Sequence, residues 1–229
     1  MKSCIDGLDG NNEKYSAPWS LKGKGYILLY RFSKKEIQSD IFLSEKFKKS
    51  FLGGFGAVMI VNYEKSDIGH YKELLFIPGK FWYSGEKKKT ISKIYVSTKK
   101  SVFYGRKNWA IPKELANFEF KKKNENIEKI VVFSNGDEIL NMKLKSGLVP
   151  FPISTHLLPF PLVQEWKKKV YYTQFNGSGV GFLAKPVKLS VNPYLFPRII
   201  EKKPLLTIKV DPFHISFQKA IIKEVNQKQ

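Results

Sequence analysis

Apolar and polar positions along this chain group into short runs of strand length and do not recur at helical spacing. Residues 25–32 (GYILLYRF) form an aromatic and aliphatic run, and the segment that follows, SKKEIQSDIFL, opens on Ser33 with Glu36 three residues on, the signature of a helix N-terminus. A strand leading into a short helix is predicted. Residues 55–63 (FGAVMIVNY), 71–78 (YKELLFIP) and 91–98 (ISKIYVST) are three further runs rich in β-branched and aromatic residues, separated by KSDIGH and GKFWYSGEKKK, which read as turns. Their succession predicts an antiparallel meander. Residues 101–108 suit a short helix, and FEF, EKIVVFSN, DEILNMKLK, KVYYTQF and GFLAKPVKLSV after it are again of strand length. The Asn135-Gly136 pair between two of these marks a hairpin. Residues 53–56 (GGFG) and 177–181 (GSGVG) lack the strand, glycine and helix context of a dinucleotide site and read as turns.

No long repeat, heptad run or low-complexity block interrupts this pattern, so solenoid and coiled-coil architectures are set aside. The 229 residues fall within the range of a single β-rich domain. Residues 1–17, polar and rich in Gly and Asn, read as a flexible lead-in, and residues 18–229 as one β-dominated α+β domain. A composition of 42% hydrophobic and 14% aromatic residues supplies a sizeable core. The N-terminus carries no apolar signal region, and no run approaches the roughly 18 apolar residues of a membrane span. A cytoplasmic protein without membrane insertion is expected. Cys4 stands alone, and His70, His156 and His214 are far apart, so neither an intrachain disulfide nor a metal site is expected.

Forty Lys and Arg against 20 Asp and Glu give a formal charge of +20, which raises the question of a nucleic-acid or anionic-membrane partner. The lysines occur as scattered doublets and triplets (Lys48-Lys49, Lys87 to Lys89, Lys121 to Lys123, Lys167 to Lys169), with no single basic stripe. They read as a solvated surface, and no nucleic-acid partner is expected.

The stretch that carries chemistry is YVSTKKSVFYGRKNWAIPKELA, from Tyr95 to Ala116, taken with Gly69-His70-Tyr71-Lys72-Glu73 and Pro18-Trp19. Tyr95 is followed ten residues later by Gly105-Arg106, and Arg106 six residues later by Pro112-Lys113. In these motifs the chain resembles the acetoacetate decarboxylase-like family, most strongly over residues 58–115 and more weakly from Pro18-Trp19 to residues 177–191. The resemblance implies a cone-shaped antiparallel sheet or barrel with a few short helices, working as a homo-oligomer without a cofactor. Lys113 would form the Schiff base with a small keto-acid substrate and Glu73 would be the active-site glutamate. Lys24, Tyr71, Arg106, Trp109 and Ile111 fall where substrate-binding groups would stand.

The same residues make chemical sense by themselves. If residues 111–115 are extended, Lys113 shares a face with Ile111 and Leu115, while Glu114 points away with Pro112. Burial among apolar groups penalises an ammonium and favours the neutral amine that attacks a ketone; acetoacetate decarboxylase is itself a known case of a lysine activated in this way. The iminium formed with a β-keto acid then accepts the electrons released as carbon dioxide leaves. Tyr71, Glu73, Leu75 and Ile77 share one strand face, so Glu73 is a carboxylate in apolar surroundings and needs a partner. Proton transfer or substrate orientation is its expected role. The plain alternatives are a Lys113 that snorkels to water, a solvent-facing Glu73, an Arg106 that ties a helix to a strand, and tryptophans that serve as core or pocket wall.

Three positions depart from the family's pattern. Glu114 replaces a second lysine, Lys24 stands in place of an arginine and exchanges a bidentate fork for a point charge, and Val58 occupies an acidic position. These changes fall on the substrate-carboxylate end of the expected pocket and leave the amine in place. Decarboxylation of a β-keto acid is the leading reading. A related Schiff-base aldolase or dehydratase and a non-catalytic small-ligand binder are the alternatives, with a basic nucleic-acid or membrane-surface binder behind them.

Overall fold

The computed structural model describes residues 13–155 and 161–224; Cys4 and His156 lie outside them. Sixteen strands alternate with three short helices in the described residues: β1 (Trp19–Arg31), α1 (Lys34–Gln38), α2 (Glu45–Lys49), β2 (Phe51–Gly53), β3 (Phe55–Lys65), β4 (Tyr71–Ile77), β5 (Lys80–Tyr83), β6 (Glu86–Lys88), β7 (Lys93–Val96), α3 (Lys99–Trp109), β8 (Glu114–Leu115), β9 (Asn117–Asn124), β10 (Ile127–Ser134), β11 (Asp137–Ser154), β12 (Leu162–Trp166), β13 (Lys169–Thr173), β14 (Phe175–Val191), β15 (Leu206–Phe217) and β16 (Ile221–Glu224). The β-dominated α+β class read from the sequence is the class observed.

Ten strands make one sheet in the order β8-β7-β4-β3-β1-β15-β14-β11-β10-β9, antiparallel except for the β7–β8 pair. Its two edge strands, β8 and β9, are consecutive in the chain and separated by Ala116 alone. The sheet must therefore curl until its edges meet, and the Lys72 ammonium on β4 reaches the Phe118 carbonyl on β9 across that seam at 3.3 Å. The curl explains a core in which Val58 and Ile60 of β3 pack in one cluster with Ile130 and Val132 of β10, two strands that a flat sheet would hold apart with four others between them. Two three-stranded sheets, β12-β13-β16 and β2-β5-β6, lie beside it.

β3 shows why the central runs read as almost continuously apolar. Val58 and Ile60 enter the first core, while Met59, Val61 and Tyr63 face a second cluster on the other side of the sheet. A strand buried on both faces loses the alternation that marks a half-exposed one. The β7-β4-β3-β1 order realises the predicted meander. The Ser33–Glu36 capping box is present, with the Ser33 N–H donating to the Glu36 carboxylate at 2.7 Å.

Three readings of the sequence need correction, and one strand goes unread. The GKFWYSGEKKK segment is a β5–β6 hairpin, with Phe81 and Tyr83 buried and Trp82 exposed between them; its period of two is short and hidden by flanking glycines and lysines. Residues 177–181 lie inside β14, where a β-carbon at Gly179 would sit 2.6 Å from the Pro212 carbonyl oxygen, so the glycine serves close strand approach instead of a turn. β15 escapes sequence reading because Pro212 interrupts it; the proline sits at the register shift between Val210 and Phe213, where the ladder needs no donor. The lead-in is also anchored at its end: the Tyr15 carbonyl accepts from the Trp19 indole and the Asn108 amide, each at 3.0 Å.

The lysine clusters sit on separate elements. Lys121 to Lys123 are exposed on the edge strand β9 and Lys167 to Lys169 in and beside the β12–β13 turn. Lys89 differs, being buried, and burial, aided by Lys80, pushes it down to about 8.

Candidate active site

The second core cluster opens into a cavity against the face of β1, β3, β4 and β7, closed over by Trp109, Ile111 and Lys113 from α3 and the segment after it. Two features of local chain geometry deliver Lys113 there. α3 begins at Thr98, whose hydroxyl accepts from the Ser101 N–H at 3.2 Å, and ends with Ala110 in the left-handed region. The Ala110 N–H returns to the Arg106 carbonyl and the Ile111 N–H to Gly105, so the chain reverses in a tight C-terminal cap. Pro112 follows, bridged by a Lys113 N–H to Ile111 carbonyl bond of 2.8 Å.

This turn alters the expected alternation. Ile111 and Lys113 are both 4% exposed, but Leu115 is 44% exposed and Ala116 is buried. β8 is only two residues long and pairs along the sheet edge with β7, so the phase of the strand resets after Lys113. Glu114 does point away, as the alternation predicted, and its carboxylate meets Lys93 at 2.6 Å.

The Lys113 amine reaches Glu73 Oε2 at 2.7 Å and Ser101 Oγ at 3.1 Å, and lies 5.2 Å from the centre of the Tyr71 ring. Glu73 is 4% exposed on β4, opposite Val61 and Val96 in register, and its second oxygen accepts from the Tyr63 hydroxyl at 3.0 Å. Burial penalises both charges, and the ion pair with its three hydrogen bonds offsets that penalty. Burial first, and then the charge on Glu73, push the Tyr63 and Tyr71 hydroxyls well above the usual tyrosine range, so both stay protonated. The site is thus the Lys113–Glu73 pair with the hydroxyls of Ser101, Tyr63 and Tyr71 at the floor of an apolar chamber.

Its walls are apolar side chains such as Trp19, Leu21, Met59, Leu75, Ile94 and Trp109. The Trp19 and Trp109 rings meet edge to face at 4.7 Å, and the Trp109 indole donates to the Gln218 carbonyl at 2.7 Å, which fixes both as wall. Phe175, Ile215 and Phe217, on the paired strands β14 and β15, line the half-buried end of the chamber. The cavity has a volume of about 60 Å³, room for a few waters.

Of the residues singled out in the sequence, Lys113, Glu73, Tyr71, Trp109 and Ile111 converge on this chamber. Lys24 and Arg106 do not. Lys24 belongs to the opposite side of β1 and binds Glu64 at 2.7 Å, and Arg106 is exposed on α3. Val58 also faces away, into the first core. Sequence reasoning missed Tyr63, Ser101, Phe175, Ile215 and Phe217. Tyr63 had a usable signal, because it continues the Met59, Val61 alternation and pairs with Tyr71 once the β3–β4 register is known. The three mouth residues come from strands distant in sequence and carried none. Among the described residues, no three His, Cys, Asp or Glu side chains gather as a metal ion would require.

Known proteins share this fold. The solved acetoacetate decarboxylase of Legionella pneumophila superposes with a TM-score of 0.72 at 14% identity, covering 91% of this chain and 88% of that one. An acetoacetate decarboxylase-like enzyme from Sphingomonas wittichii RW1 gives 0.68 at 11% identity, with 91% and 94% coverage. The enduracididine biosynthesis enzyme MppR, solved with the condensation product of pyruvate and imidazole 4-carboxaldehyde, gives 0.62 at 11%, with 93% and 91% coverage. Identities this low establish a shared fold. No curated protein sequence matches the chain. The family model for acetoacetate decarboxylase matches residues 12–157, which span β1 to β11 and both members of the buried pair. The chain therefore belongs to the acetoacetate decarboxylase family.

Proposed function

We propose that this protein is a cofactor-independent carbon–carbon lyase that works through a Schiff base on Lys113. The observation that carries the reading is the 2.7 Å contact between the Lys113 amine and Glu73 at the floor of an apolar chamber. An ammonium cannot attack a carbonyl, and Glu73 is positioned to take its surplus proton. The amine adds to the substrate carbonyl carbon, Glu73 returns the proton to the departing hydroxyl, and water leaves an iminium. The bond beside the former carbonyl then breaks with its electrons entering the iminium, which gives an enamine. Protonation of the enamine carbon and hydrolysis free the ketone and regenerate the amine.

Decarboxylation of a β-keto acid is the simplest reaction of this type, with carbon dioxide as the leaving group. An aldol cleavage uses the same electron flow, with an aldehyde leaving in its place. MppR, crystallised with a carbonyl condensation product, supports the second version as compatible with this fold. Tyr63 orients Glu73 in both.

The test is exchange of the α-hydrogens of a simple ketone in heavy water, followed by nuclear magnetic resonance. Catalysed exchange in the native protein, lost in Lys113→Arg, is the expected result. Equal exchange in the variant would leave the imine without support and favour a non-catalytic ligand-binding role.

A further inference from the structure

The Lys113–Glu73 pair is charge-balanced before any substrate arrives. Among the described residues, Lys113 is the only cation lining the chamber. Lys24 and Arg106, the side chains expected to hold a substrate carboxylate, lie elsewhere, and β3 gives the chamber Met59 and Tyr63, neither of them a cation. A keto acid bound as an iminium would set two carboxylates, its own and Glu73, against one positive nitrogen. The excess negative charge would sit in largely apolar surroundings without an ionic partner, and such burial is strongly penalised. A neutral ketone leaves the balance intact.

The far end of the chamber points the same way. Phe175 and Phe217 stack at 5.5 Å with their planes 4° apart, and Trp109 meets Phe217 edge to face at 4.9 Å. With Ile215 they form an apolar mouth of the kind that takes a hydrocarbon or aryl group.

Resting on the Schiff-base reading above, we infer that the substrate is an uncharged, apolar carbonyl compound and that the bond handled is the aldol bond of a β-hydroxy ketone. The iminium forms at the ketone with loss of water. Glu73 takes the proton of the β-hydroxyl as the bond between the α- and β-carbons breaks, the bonding pair enters the iminium to give an enamine, and an aldehyde departs. The proton held by Glu73 returns to the α-carbon, and water hydrolyses the resulting iminium to a methyl ketone and the free amine. Atoms and electrons balance without an oxidant or a second cofactor.

The experiment compares the native protein with Ile215→Arg, a substitution that sets a cation at the half-buried mouth. Benzylacetone, acetoacetate and benzoylacetate are each offered with borohydride and the adducts on Lys113 counted by mass spectrometry; the aldol of acetone and benzaldehyde is offered separately and benzaldehyde release is followed. Preference for benzylacetone over acetoacetate by about tenfold or more, release of benzaldehyde, and a swing toward the two acids in Ile215→Arg are expected, since a removed charge penalty of even one decade in affinity is readily seen. Preferential trapping of the acids by the native protein, with release of carbon dioxide, would overturn the neutral-substrate inference and leave the Schiff base standing. No adduct with any of the three in folded protein would overturn both.

Discussion

A β-carbon placed on Gly105 of α3 would lie 2.6 Å from Cδ of Lys113 and 2.8 Å from Cε, so the glycine of the Gly-Arg pair makes the channel through which the lysine reaches Glu73. The atoms it would strike belong to a flexible side chain, which can bend into the chamber at little cost to the fold as long as its contact with Glu73 is kept. We predict that Gly105→Ala keeps thermal stability within a few degrees, the helix propensity of alanine offsetting the displaced lysine by about 1 kcal/mol. Reactivity of the amine toward carbonyl compounds should fall by about tenfold or more, because small misplacements of a nucleophile are expensive. A variant that loses stability and reactivity in parallel would contradict this division.

The buried pair makes a second prediction. Lys113→Met or Glu73→Gln alone leaves the other group without its ionic partner at about 4% exposure, and each should lower unfolding free energy by roughly 3–5 kcal/mol. The double variant should recover most of that loss, since two neutral groups need no ionic compensation. Urea unfolding of all four proteins measures the coupling. Additive losses would mean that the two residues do not form an ion pair in the folded protein.

Much of this site could be read before any fold was known. The spacing from Tyr95 through Gly105 to Lys113 and the apolar face around Glu73 lie within local sequence, where strand alternation and motif spacing are informative. Lys24 and Arg106 follow from the family resemblance but do not face the chamber, because which side of β1 or α3 a residue occupies depends on bulges and helix phase that linear position does not encode. The mouth formed by Phe175, Ile215 and Phe217 depends on β14 and β15 closing beside β1, a long-range pairing with no local trace. Pro212 concealed β15 for a related reason, since only the register shows that its missing N–H falls at a bulge.

Tyrosine burial sets the alkaline limit of the fold. Burial is the leading cause that raises Tyr26, Tyr30, Tyr63 and Tyr71 above the ordinary tyrosine value. Unfolded tyrosines lose their protons near about pH 10, so above that point the folded chain holds more protons than the unfolded one and stability falls as pH rises. Below it this contribution is fully present and flat. Chemical denaturation from pH 8 upward should show a decline beginning near about pH 10, weakened in Tyr63→Phe. A flat profile to pH 11 and beyond would speak against buried, protonated tyrosines beside Glu73.

The most direct test of Schiff-base chemistry is borohydride reduction in the presence of a panel of neutral and acidic ketones, with the modified peptide identified by mass spectrometry in the native protein and in Lys113→Arg. A ketone-dependent mass on the peptide containing Lys113, absent from the variant while other lysines stay unmodified, is the predicted result. Labelling spread across surface lysines, or an equal yield from Lys113→Arg, would contradict it.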